Sequence, residues 1–145
     1  MINTAQNIII SLTQDSTLAG LMNTTVPNNS VYTGDVYVVR EKQNTFQYPL
    51  LTMSPVSEEF EVMPLNGRQA TYQLDIFSRN SEIEAIQIYE QVVFNLSFIN
   101  TSQDSTKIWW TRPVSATNIS ESEMRIFHIR VDIHVWSFNN SLPET

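Results

Sequence analysis

The stretch MRIFHIRVDIHVWSF, Met124 to Phe138, decides the fold because its polarity alternates from one residue to the next. Alternation with a period of two is the pattern of a β-strand that buries one of its faces. The apolar set is Phe127, Ile129, Val131, Ile133 and Val135. The opposite set is His128, Arg130, Asp132, His134 and Trp136. This strand therefore has a core face and a second, decorated face whose role has to be explained.

Two further segments supply partners for the core face. ATYQLDIFSR, residues 70–79, predicts a strand with one aliphatic face and with Asp75 and Phe77 on the opposite face. A helix is predicted over 81–98, because Ser81 and Glu84 have the spacing of a capping box. The apolar stripe predicted for this helix is Ile83, Ile86, Tyr89, Val92, Val93 and Leu96.

Shorter elements surround these segments. Residues 3–13 predict a helix, and Asp15 resembles the N-cap of a second short helical turn. Strands are predicted over 31–40, 48–56 and 107–114, the last closed by Pro113 and followed by a loop over 115–123. The segment 54–68 predicts a projecting arm or loop with a tight turn at Asn66-Gly67.

This order of elements predicts one α+β domain over residues 1–145. Its architecture is a mostly antiparallel, twisted β-sheet with two helices packed on one face. The decorated face of the last strand then points away from the helices, together with Asp75 and Phe77.

The composition excludes several functional classes. A net charge of -7 argues against binding to duplex DNA, which requires a basic surface. The chain has no cysteine, which excludes disulfides, thiolate zinc sites and cysteine nucleophiles. The first residues lack the pattern of a signal peptide, and no stretch approaches the length of a membrane span, so a cytoplasm is the expected compartment.

The sequence contains no pattern of an active site. His128 and His134, the only histidines, lie about 20 Å apart along an extended strand, too far to bind one ion. His134 with Asp132 would supply only two metal ligands. Asp75 and Asp132 form a possible carboxylate pair, but nothing indicates a pocket around them. We therefore expect no catalytic residue, metal ion or cofactor.

The aromatic and acidic surface residues leave two interpretations open. Trp136 could stack on bases or sugars, or it could anchor a protein contact, since aromatic residues are enriched at interface hot spots. The acidic stretch of Glu58, Glu59 and Glu61 around Phe60 is either a solvated surface or an arm that uses Phe60 as its anchor.

The order and spacing of these segments resemble the tail terminator, or tail-completion, proteins of long-tailed bacteriophages. The similar segments cover nearly the whole chain. They are LTQDSTLAGLM, VYTG, YPLLTM, YQLDIFSRNSE, EAIQIYEQVVFNL and FHIRVDIHVWSF. The antiparallel sheet with two helices that is typical of the family agrees with the layout predicted above.

The resemblance implies a structural protein of the virion and not an enzyme. Proteins of this family form rings, commonly hexamers, which cap the tail tube, stop its elongation and offer their other side to a head-completion protein of the neck. DNA passes through the centre without sequence-specific binding, and the net charge of -7 suits such a channel. Assembly would take place in the host cytoplasm, without a membrane.

Under this resemblance the decorated residues become interface residues. The predicted subunit or tube contacts are Glu58, Glu59, Phe60, Glu61, Asp75, Phe77, His128, Arg130, Asp132, His134 and Trp136. The alternatives are another neck component, such as a head-completion stopper or adaptor, or a non-viral α+β domain that binds a small ligand or acts as a scaffold.

Overall fold

A computed structural model of the chain describes residues 2–33, 48–60, 67–97, 102–103, 106–119 and 126–139. In chain order their elements are α1 (Ile2–Thr13), α2 (Ser16–Leu21), β1 (Val31–Thr33), β2 (Leu50–Phe60), β3 (Gly67–Ser78), α3 (Glu82–Ser97), β4 (Ser102–Gln103), β5 (Thr106–Asn118) and β6 (Phe127–Asn139). The predicted α+β class is confirmed.

The sheet is built around the two strands with the clearest alternation. β3 and β6 pair antiparallel, from Gly67 opposite Phe138 to Ser78 opposite Phe127. The described strands form one six-stranded sheet in the order β1-β2-β3-β6-β5-β4. Only β1 runs parallel to its neighbour, β2. The predicted mostly antiparallel sheet is therefore confirmed.

The main core lies between one face of the sheet and the helices. Alternation along β3 and β6 delivers the aliphatic side chains to this face, and all of them are buried. From the sheet the core takes Leu51, Met53, Ala70, Tyr72, Leu74, Ile76, Ile129, Val131, Ile133 and Val135. From the helices it takes Ile8, Leu12, Leu18, Ala85, Ile88, Val92 and Leu96. The helices thus cover one face, as predicted.

The buried stripe of α3 differs in phase from the predicted stripe. Val92 and Leu96 are buried as expected, but Ile83 is 67% exposed and Ile86 is 39% exposed. Ala85 occupies the buried position instead, since a small side chain lets the first turn approach the sheet closely. Apolar residues surround most of this helix, so their periodicity alone does not fix which side is buried.

No helix in the described part of the chain is long and apolar enough to cross a membrane.

The start of α3 is capped by one half of the predicted capping box. The Glu84 N–H donates to Ser81 Oγ over 3.0 Å, as predicted. The Glu84 carboxylate does not return to the Ser81 N–H. It accepts from Ser78 Oγ at 2.8 Å and from Asn80 Nδ2 at 3.0 Å. Glu84 therefore ties the first turn of α3 to the end of β3.

Asp15 joins the two N-terminal helices to α3. Its Oδ1 accepts from the Thr17 and Leu18 N–H groups at 2.9 and 3.2 Å, which confirms the predicted N-cap. Its Oδ2 accepts from Gln91 at 2.9 Å and Asn95 at 3.0 Å. Burial raises the pKa of Asp15, but the hydrogen bonds from Gln91, Leu18, Asn95 and Thr17 outweigh burial and lower it.

Prolines interrupt the pairing of two strands without ending them. β5 continues through Pro113 to Asn118, so the predicted end of the strand at Pro113 and the loop predicted over 115–118 are wrong. A shift of register between Pro113 and Ser115 accommodates the proline. β2 likewise continues beyond Pro55, with a shift between Pro55 and Ser57.

The predicted arm is described only at its two ends. Residues 54–60 belong to β2, residues 67–68 begin β3, and Phe60 pairs with Arg68 across the ladder. Residues 61–66, which include Asn66 of the predicted turn, lie outside the described residues. The strand predicted over 31–40 is described only as β1, and its remainder also lies outside them.

Candidate functional site

The face of the sheet that points away from the helices carries most of the residues predicted to have a function. We call it the polar face and define it by five cross-strand pairs of β3 and β6. These pairs are Gln69–Trp136, Thr71–His134, Gln73–Asp132, Asp75–Arg130 and Phe77–His128. The sequence therefore placed Asp75, Phe77 and the alternate residues of β6 on one surface correctly.

Asp75 is the centre of a buried polar network on this face. It is 1% exposed, and its Oδ1 lies 2.6 Å from His128 Nε2 and 3.1 Å from Arg130 Nε. Its Oδ2 accepts from Gln73 Nε2 at 2.9 Å. One carboxylate thus joins three side chains from both central strands, an arrangement that compensates the cost of its burial.

The electrostatics of the network keep Asp75 ionised. Burial raises its pKa, but the hydrogen bonds from His128, Gln73 and Arg130, and the charge of His128, outweigh burial and lower the pKa. An ionised carboxylate only accepts hydrogen bonds, so His128 Nε2 is the donor in the 2.6 Å contact. A carboxylate with a lowered pKa is a weak base, and this geometry favours a structural role over proton transfer.

A small second core covers the end of the polar face beside Asp75. The Phe77 and His128 rings stack with their centroids 4.2 Å apart. Phe77 also joins Leu50 and Ile126 in a buried apolar cluster, against which Tyr32 and Tyr48 pack. The aromatic and histidine residues at this end therefore contribute to folding.

Three of the predicted interface residues are consequently buried in the protomer. Asp75 and Phe77 are at most 1% exposed, and His128 is 5% exposed. They are covered within the protomer because Leu50, Ile126 and Tyr48 reach this face from other segments. One feature of the sequence indicates this burial. Phe77 is the only apolar side chain that β3 places on the polar face. A contact role for these residues stays a prediction.

The other end of the polar face is more open. Arg130, Asp132, His134 and Trp136 are half-buried. Asp132 Oδ2 accepts from Ser115 Oγ of β5 at 3.1 Å. His134 Nδ1 lies 3.2 Å from Gln69 Nε2. No group of three or more His, Cys, Asp or Glu residues that could bind a metal occurs among the described residues.

The acidic residues predicted as an arm lie along an outer strand. Glu58, Glu59 and Phe60 are the last residues of β2, and they pair with Ala70, Gln69 and Arg68 of β3 in that order. Glu61 lies outside the described residues. The polar face and this acidic end of β2 are therefore parts of one continuous sheet.

Comparison with known proteins gives a match of structure and no match of sequence. No family model and no curated protein matches this chain. A chain in the solved virion of a native gene transfer agent particle superposes with a TM-score of 0.67. The two chains share one fold. The match covers 91% of this chain and 92% of the other at 11% sequence identity, so it extends over the whole architecture.

Removal of the Asp75 carboxylate should strongly destabilise the fold. Asp75→Ala leaves a buried histidine without this acceptor, which should cost about 3 kcal/mol of unfolding free energy. Asp132→Ala also removes a carboxylate from the polar face, but the hydrogen-bond partner of this carboxylate, Ser115, is exposed. This substitution should therefore lower the free energy of unfolding by less than about 1 kcal/mol. Urea unfolding of both variants measures the difference. Equal costs would contradict the role given to the Asp75 network.

Acid should remove the stabilisation that Asp75 supplies. Its pKa is lower in the folded protein than the ordinary value of 3.8, so the folded state binds fewer protons than the unfolded state. Its contribution is complete above that value and is lost as the pH falls through the folded pKa. The difference in unfolding free energy between the wild type and Asp75→Asn should therefore shrink between about pH 5 and about pH 3. A difference that is the same at both pH values would contradict this assignment.

Proposed function

We propose that this protein is a structural component of a tailed-phage virion, and specifically the tail terminator. In this role a ring of copies caps the tail tube, stops its elongation and offers a joining surface to the head-completion protein. The observation that carries the proposal is the shared fold with a chain of a gene transfer agent virion, over nearly the full length of both chains.

The sequence supports the same proposal through different information. The order of the segments from LTQDSTLAGLM to FHIRVDIHVWSF resembles tail terminators in particular, whereas the structural match concerns the backbone alone. The matching chain belongs to a structure of a virion particle, and its likeness to this chain does not distinguish one virion component from another. The structural match therefore supports a virion protein, and the assignment to the tail rests on the resemblance in sequence.

The physical character of the protein suits a passive ring. The polar side chains of the candidate site bond to one another, and the Asp75 carboxylate stays ionised within its own network. A structural role without catalysis or cofactor follows from this interpretation. The net charge of -7 would repel DNA from the wall of a central channel, which lets DNA pass without sticking.

The proposed capping role can be tested by adding the protein while tail tubes polymerise from the cognate tube protein. Protein added during polymerisation should shorten the tubes, because a capped end cannot grow. Negative-stain electron microscopy should show added density at one end of each tube. The rotational symmetry of the ring, expected to be sixfold from the resemblance, can be read from end-on views.

The control for this experiment is protein added after polymerisation is complete, which should mark one end without a change in tube length. Bare tubes of unchanged length in both conditions would remove the terminator role. A stopper or adaptor elsewhere in the neck, or a non-viral ligand-binding domain, would then be the better assignment.

A further inference from the structure

The helix α3 has a second row of apolar side chains on the side that faces away from the sheet. Ile83 is 67% exposed, Ile86 is 39% exposed and Phe94 is 60% exposed. With the exposed Gln87 and Glu90 they follow the helical period, opposite the buried side that begins at Ala85. We call these five exposed residues the outer stripe. A helix that has apolar residues on both sides is typical of a helix that is covered on both sides.

The outer stripe has the size and rigidity of a contact surface. Ile83 and Phe94 lie about 16 Å apart along the axis of α3, at the rise of an α-helix. The start of the helix is held in place, since Asn118 Nδ2 of β5 donates to Glu82 Oε1 over 2.8 Å. Single exposed apolar residues are common on protein surfaces, whereas an exposed apolar row is typical of an interaction site. A row on a helix that is already held in place loses little conformational freedom on binding.

The charge of α3 restricts what can bind to the outer stripe. The helix contains Glu82, Glu84 and Glu90 and no basic residue. Acidic side chains repel the phosphates of nucleic acids and the head groups of anionic lipids. Of the three glutamates, Glu90 lies within the outer stripe itself. The matching surface therefore belongs to a protein, and it combines apolar side chains with a basic group.

The opposite side of the same protein has a surface of this kind. Arg112 of β5 lies opposite His134 of the polar face and is exposed. Val114, two residues further along β5, is 51% exposed. Trp136 of the polar face is half-buried, and aromatic residues are enriched at the centres of protein interfaces. The polar face and the adjoining strand therefore offer an aromatic ring, an aliphatic side chain and a basic group.

The contacts within the protomer leave Arg112 as the arginine best placed for an acidic partner. Arg79 lies over the Tyr48 ring, 4.3 Å from its centroid, and Arg130 Nε donates to Asp75 Oδ1. The two carboxylates of the polar face are engaged as well. Asp75 is buried in its network, and Asp132 is half-buried and accepts from Ser115. The exposed charge beside the polar face is therefore the positive charge of Arg112.

The two surfaces point in opposite directions. The helices cover one face of the sheet and the polar face is the other, so the outer stripe and the polar face lie at the two ends of the layered protomer. From Arg130 to Trp136 the polar face extends about 20 Å along β6, a length comparable to that of the outer stripe. A contact between opposite faces of two copies is heterologous, and it repeats until a ring closes.

We propose that copies of this protein stack by packing the outer stripe of one copy against the polar face of the next. The contact buries Ile83 and Phe94 against Trp136 and brings Glu90 to Arg112. α3 then lies between two sheets, which explains its apolar residues on both sides. The decorated face of β6 receives a partner from a second copy of the chain. This inference deepens the proposed function, on which it rests for the closure of the ring.

Charge reversal on each surface tests the stacking. One variant is Arg112→Glu and the other is Glu90→Arg. Each variant alone places like charges at every contact, and should need at least about tenfold more protein than the wild type to assemble. An equimolar mixture restores opposite charges at every contact when the variants alternate, so assembly should return at the wild-type concentration. Native mass spectrometry over a concentration series measures the size and the alternating composition. The conservative variant Arg112→Lys should assemble as the wild type does.

Removal of the apolar side chains tests the same contact independently of charge. The double variant Ile83→Ser with Phe94→Ser should lose assembly, because the exposed apolar row of α3 is then interrupted at both ends. The matched control is Ile10→Ser, which removes a 41% exposed isoleucine from α1 and should assemble as the wild type does. Circular dichroism verifies that all variants are folded.

Three results would overturn the inference. The first is assembly of a charge variant or of the double serine variant at the wild-type concentration. The second is a mixture of folded charge variants that fails to assemble. The third is a wild type that stays monomeric at its highest soluble concentration.

The same variants separate this inference from the proposed function. Outer-stripe variants that still form rings and still shorten tail tubes would leave the terminator role intact and remove the stacking contact. Wild-type rings that leave tube length unchanged would remove the terminator role, while the mixing experiment would still decide how the copies join.

Discussion

The antiparallel pairing of β3 with β6 is the constraint on which the rest of the structure depends. Its register is fixed from both sides of the sheet at once. On the helix side it places Leu74 beside Val131 in the core, and on the polar side it places Asp75 beside Arg130. A slip of β6 by one residue would turn Val131 away from the helices and Arg130 toward the core. Both the hydrophobic effect and the buried carboxylate oppose such a slip.

The central strands β3 and β6 differ from the outer strands β2 and β5 in what their side chains contact. Asp75 joins its three donors within the protomer, and the half-buried residues Asp132 and His134 have neighbours on the sheet. β2 and β5 instead each have a proline, a shift of register and an exposed valine.

The elements that could be predicted from the sequence are those with a local cause. Alternation located β3 and β6, and the side chains of Asp15 and Ser81 located the starts of two helices. The predictions that were wrong depended on distant segments. The buried side of α3 is decided by packing on the sheet, and β5 passes Pro113 because its neighbour β6 continues. The candidate site shows the same division, since the placement of Asp75, Phe77 and His128 on one face requires only a period of two. Their burial was not foreseen, because the covering residues come from other parts of the chain.

A cryo-electron microscopy map of tail tubes completed in the presence of this protein is the most direct test of the proposed role. We expect a closed ring of copies at one tube end. A map that placed the chain away from the tube end would contradict the proposed function.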